Sequence, residues 1–328
     1  MSCGYRRKCA TTWGAAARGN ATISTMISEQ RKGELYLLAE EFLWGWFPIV
    51  TLLTYPYLAP LWSMGLTLAV AAVFFGLLMS KRLGSNLWRE LGNRRAWKDL
   101  AWSSFYIMLL FVLLFTGLAH TTAGNAALIL FLQVFFAFLY FNLLQGEKMS
   151  PPHLAGAALM SLGAFLVLFP GEAGLNKGDL LVLLAAMVAP IGNRYQQRAR
   201  RHVHATTLLF VRTVTSLPVV LLLAWAYANP PALADLQATW WLVALNGVFL
   251  MGLSKIYWIE ALHRLSVTKI SAMTALSPLF TMLFAFFILQ EVPGGWQVAG
   301  ILPILTGGML ITRPLDPGEA VRGCRPGR

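Results

Sequence analysis

GEKMSPPHLAGAALMSLGAFLVLFP, residues 146–170, and QEVPGGWQVAGILPILTGGMLITRP, residues 290–314, lie over one another without a gap at an offset of 144 residues. Glu147 falls on Glu291, Gly156 on Gly300, Gly163 on Gly307 and Pro170 on Pro314. The register extends upstream through Leu118 on Leu262, Leu132 on Leu276 and Phe136 on Phe280. Matched leucines between apolar segments arise easily by chance; an acid, two glycines and a proline in one register do not. The chain therefore reads as a duplicated unit.

The unit is built for lipid. Of the 328 residues, 57% are apolar and 12% charged, with a mean hydropathy of +0.61. A water-soluble domain of this length carries about twice that charge. The apolar residues come in blocks of about twenty, the length a helix needs to cross a hydrocarbon layer roughly 30 Å thick. Blocks bounded by charge, Gly and Pro predict helices near 33–55, 57–80, 99–120, 122–145 and 152–170. A second set follows near 178–197, 203–228, 237–262, 266–290 and 295–313. The expected fold is thus an all-α integral membrane protein of ten transmembrane helices.

The net charge of +12 does not point to nucleic acid. Lys and Arg sit in short stretches between apolar blocks, with no aromatic-interleaved groove, which is the pattern of a membrane-orientation signal. With the amino terminus cytoplasmic, twenty-three of the twenty-six fall on the inner side, Lys177 alone falls outside, and Arg212 and Lys255 lie within spans. Both termini are therefore expected in the cytoplasm. Cys3, Cys9 and Cys324 lie in the polar tails and match no metal or redox spacing.

Five spans per copy is an odd number, so the second copy enters the membrane upside down relative to the first. The expected organisation is a disordered cytoplasmic tail over residues 1–32, a first five-helix repeat over 33–172, an inverted second repeat over 177–314, and a cytoplasmic tail over 315–328. Inverted repeats are the architecture of alternating-access transporters.

A helix ending in a short acidic hairpin, then a glycine-spaced helix, occurs as LLQGEKMSPPHLAGAALMSLG from residue 143 and ILQEVPGGWQVAGILPILTGG from residue 288. With IYWIEALHRLSVTKISAMTALSPLF from residue 256, this resembles the drug/metabolite transporter superfamily, specifically its EamA-like ten-helix members. The resemblance covers nearly everything from residue 33 to 314. It implies a secondary transporter of a small metabolite, the family including exporters of amino acids, with a solute and the bilayer as partners. It implies no cofactor and no metal, and a bacterial inner membrane as the location. Where the family often carries an arginine in the second helix, the first copy here reads PLWSMGLTLAV without one, and the second reads TTLLFVRTVTS with Arg212.

Charges inside the hydrocarbon region cost roughly 2.5–3.5 kcal/mol on insertion scales, so they are retained where they meet water, a partner or a substrate. Glu40, Glu41, Arg212 and Lys255 are such charges. Each lies roughly 10–14 Å from the inner end of its helix at 1.5 Å per residue, a common layer. With Trp44, Tyr106, Gln133, Tyr257 and Trp258 they form the expected substrate-binding set; Asn125, Asn193 and Asn246 are further polar candidates. The competing reading is a structural ion pair between the two halves. Glu147 and Glu291 precede a helix in each copy and are expected to cap the helix that follows them. Gly156, Gly163, Gly300 and Gly307 recur at seven-residue spacing on one face, the pattern of close helix packing, including packing in a homodimer. No P-loop, GxSxG or HExxH motif occurs. The alternative from another class is an intramembrane lipid-modifying enzyme using the buried carboxylates as acid and base.

Overall fold

The computed structural model describes residues 12–84, 87–140, 151–168, 176–265, 270 and 273–311, with side chains from residue 29 onward. In chain order the helices are α1 (Thr12–Thr54), α2 (Pro60–Leu83), the short α3 (Leu87–Leu91), α4 (Arg94–Leu118), α5 (Ala123–Phe131), α6 (Gln133–Phe138), α7 (Pro151–Leu168), α8 (Lys177–Ala199) and α9 (Ala205–Tyr227). Then come α10 (Leu233–Leu245), a π-helical stretch Asn246–Leu253, α11 (Ser254–Arg264), α12 (Leu276–Ile288) and α13 (Gly295–Ile311). No strand occurs among the described residues.

Six helices are long and apolar enough to cross a membrane: Glu29–Thr54 within α1, Pro60–Leu83, Arg94–Leu118, Pro151–Leu168, Ala205–Tyr227 and the continuous Leu233–Arg264. The other expected spans are shorter or more polar. Leu132 interrupts the fourth at α5/α6, α12 and α13 are short, and α8 ends in Arg194, Gln196, Gln197 and Arg198. Many large apolar side chains on the outside, Leu77, Leu222, Phe287 and Leu302 among them, are exposed, as a surface facing lipid tails requires.

Part of the expected amino-terminal tail is helical. Residues 12–32 form the start of α1, where no proline interrupts the helix and Ala15, Ala16 and Ala17 favour it. The expected single helix over 237–262 keeps its course but passes through the π-helical turn at Asn246–Leu253, where Gly247 and Gly252 press against Val70 and Phe74 of α2.

The packing follows an exchange rule. α4 lies along α8 as α11 lies along α1; α5 meets α8 as α12 meets α1; α9 meets α4 as α2 meets the π-helical stretch. α2 with α9, α5 with α12 and α7 with α13 are their own counterparts. In the α7–α13 pair, a Cβ on Gly156 would stand 2.7 Å from the Gly307 carbonyl oxygen, and one on Gly163 would stand 2.8 Å from that of Gly300. One number rises as the other falls, so these two helices, equivalent in the repeat, run antiparallel.

The core gathers where α1, α2, α4, α5, α8 and α9 converge, around Phe47, Phe75, Leu114, Phe115, Leu128 and Ile129, none more than 1% exposed.

A candidate solute-binding site at the centre of the bundle

α1 packs against α11 on one side and α12 on another. Consecutive residues on a helix point about 100° apart. Glu40 and Glu41, each 2% exposed, are thereby turned to different neighbours. Glu40 Oε1 accepts from Lys255 Nζ at 2.7 Å and from Ser254 Oγ at 3.2 Å. The same ammonium lies 3.4 Å from the centre of the Trp44 ring, so a carboxylate and an aromatic face hold it together. Glu41 Oε1 is buried with no hydrogen-bond partner among the described residues.

Both carboxylates line one cavity. α1 supplies Glu40, Glu41, Trp44, Phe47 and Pro48; α4 supplies Ile107, Leu110, Phe111 and Leu114, one helical face at i, i+3, i+4 and i+7. Gln133 comes from α6, Asn193 and Gln196 from α8, Arg212 from α9, and Lys255 and Trp258 from α11. Thr274, Ser277, Pro278 and Thr281 close it on the α12 side. Water centres can reach about 90 Å³ of it, several times the roughly 10–15 Å³ that one water needs. Its wall has a charged pole, at Glu40, Glu41, Arg212 and Lys255, and an apolar one, at Phe47, Leu110, Phe111, Leu114 and Phe131.

Arg212, 5% exposed, donates from Nη1 to Gln196 Oε1 at 2.8 Å, and Gln196 Nε2 donates to Asn193 Oδ1 at 2.9 Å. Among the described residues Arg212 forms no ion pair, and Glu40 of the same cavity is held by Lys255.

Seven of the nine residues expected around a solute meet here: Glu40, Glu41, Trp44, Gln133, Arg212, Lys255 and Trp258. Tyr106 and Tyr257 do not. Tyr106 stacks on Tyr195 and Trp102, with ring centres 5.9 and 5.7 Å apart, and Tyr257 stacks on Tyr36 at 5.6 Å. Helical periodicity explains both departures: Tyr257 follows Lys255 by two positions, about 200° round the helix, whereas Trp258 follows by three. Tyr106 is likewise one step off the Ile107 face.

Gln196, Thr274, Ser277 and Thr281 were not singled out from the sequence. For Gln196 a signal existed, since Asn193 and Gln196 stand three apart on one face of α8. Of the other polar candidates, Asn246 is fully buried and donates to Thr51 Oγ1 at 3.0 Å, away from the cavity.

Asn125 belongs to a polar cluster at the end of the bundle where α8 begins. Asp179 accepts from Thr121 Oγ1 and from Asn125 Nδ2, and Gln297 Nε2 reaches Thr122 Oγ1 and Asn125 Oδ1. Glu291 sits in the same cluster and corrects the sequence reading. Its carboxylate accepts from Ala123 N, at 3.1 and 3.3 Å, so it caps α5 rather than the α13 helix that follows it. The physical reason is that α5 and α12 pack together, which brings the turn after α12 onto the first amides of α5. Glu147 lies outside the described residues. At the opposite end, Arg264 pairs with Glu260 and Glu29, and Arg200 approaches Glu260 at 3.7 Å, joining α1, α8 and α11. The four glycines lie in the α7–α13 contact within one chain.

The profile of the EamA-like transporter family matches residues 31–169 and again 176–313, the two halves of the repeat. The chain belongs to the EamA-like transporter family. It is an integral membrane protein, and family membership accounts for the duplication, since the matched unit occurs twice. Among similar proteins, an uncharacterized transporter of Archaeoglobus fulgidus is 28% identical over 218 residues, 63% of this chain and 72% of the relative. A probable terminal-alkyne amino-acid exporter of Streptantibioticus cattleyicolor is 28% identical over 226 residues, 66% of this chain and 73% of the relative. A solved crystal structure superposes with a TM-score of 0.59 at 17% identity, over 86% of this chain and 97% of the other, a likeness of fold alone.

Proposed function

We propose that this EamA-like protein is a secondary transporter that exports a small amphipathic, amino-acid-like metabolite by alternating access. In this reading ten spans form two inverted five-helix repeats, both termini are cytoplasmic, and the membrane is a bacterial inner membrane. The observation that carries it is the central cavity, whose charged pole draws Glu40 and Glu41 from the first repeat and Arg212 and Lys255 from the second. A buried carboxylate oxygen without a partner is costly in a low-dielectric interior, and a ligand that satisfies it repays binding. Glu41 receives the cationic end of the solute, Arg212 its anionic end, and the apolar wall its body. The exporter among the relatives has an amino-acid cargo by name, which agrees with a zwitterion.

The polar cluster at Asp179 and Glu291 and the ion pairs at Arg264 close the two ends of the route. Rocking one repeat against the other breaks one closure while the other holds. Each variant in the test is reconstituted in proteoliposomes loaded with a pool of unlabelled amino acids, and counterflow of labelled ones is followed. Wild type is expected to show flux, and Glu41→Gln and Lys255→Ala to reduce it at least about tenfold. Unchanged flux in both variants would make the charged layer a structural ion pair and remove the site.

A further inference from the structure

The Arg212 guanidinium on the cavity wall is held in a way that leaves its charge unspent. A buried arginine ordinarily finds a carboxylate, because a charge removed from water needs a counter-charge. Two carboxylates line the same cavity as Arg212, yet Glu40 is committed to Lys255 and the partner of Arg212 is the neutral Gln196, at 2.8 Å. Guanidinium has donors only, so Gln196 must present its oxygen to it, and that orientation is set by Asn193, whose Oδ1 accepts the amide protons at 2.9 Å. Asn193 and Gln196 stand on one turn of α8, and Gln196 is 2% exposed. The relay Asn193–Gln196–Arg212 fixes where the guanidinium points without cancelling its charge.

We infer that Gln196 is a positioning residue that makes the cavity selective for solutes carrying a carboxylate, by aiming an uncompensated Arg212 at it. The inference rests on the transport reading for the identity of the site. A neutral amide is the side chain this role requires. A carboxylate at position 196 would fill the anion site from within, whereas an apolar group would free Arg212 to swing. The remaining donors of Arg212 are then available to the two oxygens of a carboxylate, for which the planar fork is suited.

The test compares L-leucine with L-leucinamide, which share the ammonium and the apolar body and differ in the carboxylate. Dissociation constants are read from ligand-induced shifts in the melting temperature of the full chain purified in detergent. Wild type is expected to bind leucine about tenfold or more tighter than leucinamide, as loss of a hydrogen bond to a charged group implies. Gln196→Glu, nearly isosteric, is expected to abolish that preference while raising the ligand-free melting temperature. Gln196→Met is expected to shrink the preference and supplies the answer if the first variant does not fold. The inference is overturned if both variants discriminate as wild type does, or if wild type shows no preference. Counterflow in wild-type liposomes keeps the two readings apart. Selective binding without flux would sink the transporter and leave the role of Gln196 standing; flux with unaltered discrimination in the variants would do the reverse.

Discussion

Gly156 and Gly307 meet backbone to backbone, a Cβ on the first falling 2.7 Å from the carbonyl oxygen of the second and the reverse approach being 2.6 Å. In the repeat register Gly156 matches Gly300 and Gly163 matches Gly307, so the repeat exchanges the Gly156–Gly307 contact with the Gly163–Gly300 contact. A side chain here has backbone to displace rather than a flexible neighbour. Gly156→Leu is expected to cost about 1–3 kcal/mol or more by overpacking, seen as a lower melting temperature in detergent. Gly295→Ala, with open space around it, is expected to leave the temperature unchanged.

Lys255 and Glu40 form a buried pair, 11% and 2% exposed at their side chains. Removing one partner leaves the other charge without compensation, so Lys255→Met is expected to lower stability by about 3–5 kcal/mol. Removing both charges in Glu40→Gln/Lys255→Met is expected to recover most of that loss. Chemical unfolding of the four corners of this cycle measures it; additive losses would show that the two side chains do not act as a pair.

Glu41 differs from its neighbour. Because its Oε1 has no hydrogen-bond partner, Glu41→Gln is expected to hold or raise the melting temperature while solute flux falls. A fall in both together would assign Glu41 to the scaffold.

The inverted arrangement is checked by topology. With Cys3, Cys9 and Cys324 replaced, a single cysteine at Trp88, in the charged segment between α2 and α4, is expected to react with an impermeant maleimide from the cytoplasmic side only. One at Pro230, between α9 and α10, is expected to react from the opposite side only. Labelling of both from one face would end the alternating-access reading.

Glu291 anchors the turn after α12 to the first amide of α5. Glu291→Ala removes a charged cap, and the expected cost is about 1–2 kcal/mol, with Glu291→Gln retaining part of it. Thermal unfolding of the two variants side by side measures the charge contribution.

Much of this was legible in one dimension because its causes are one-dimensional. Block length and hydropathy are local, so the membrane class and most helices follow from them, and the 144-residue register follows from counting. The charged residues of the cavity were legible for the same reason, since a charge in an apolar block advertises itself. Tyr106 and Tyr257 were misplaced because residue type was weighed without following the helical face, although spacing from Ile107 and Lys255 carried that information. The interruption at Leu132 has no strong composition signal.

Sequence alone determined that the chain lies in lipid, is duplicated, and carries four charges at similar depth. Only tertiary structure decided which of them cancel. Glu40 and Glu41 are indistinguishable as neighbours in sequence, yet the 100° between them, set against two different packing helices, pairs one with Lys255 and leaves Oε1 of the other without a hydrogen bond. Glu291 shows the same division, its hydrogen bond going to Ala123, 168 residues away along the chain. Pairing is a matter of which helix lies alongside, and that is fixed by the packing of the two halves together rather than by any local run of residues.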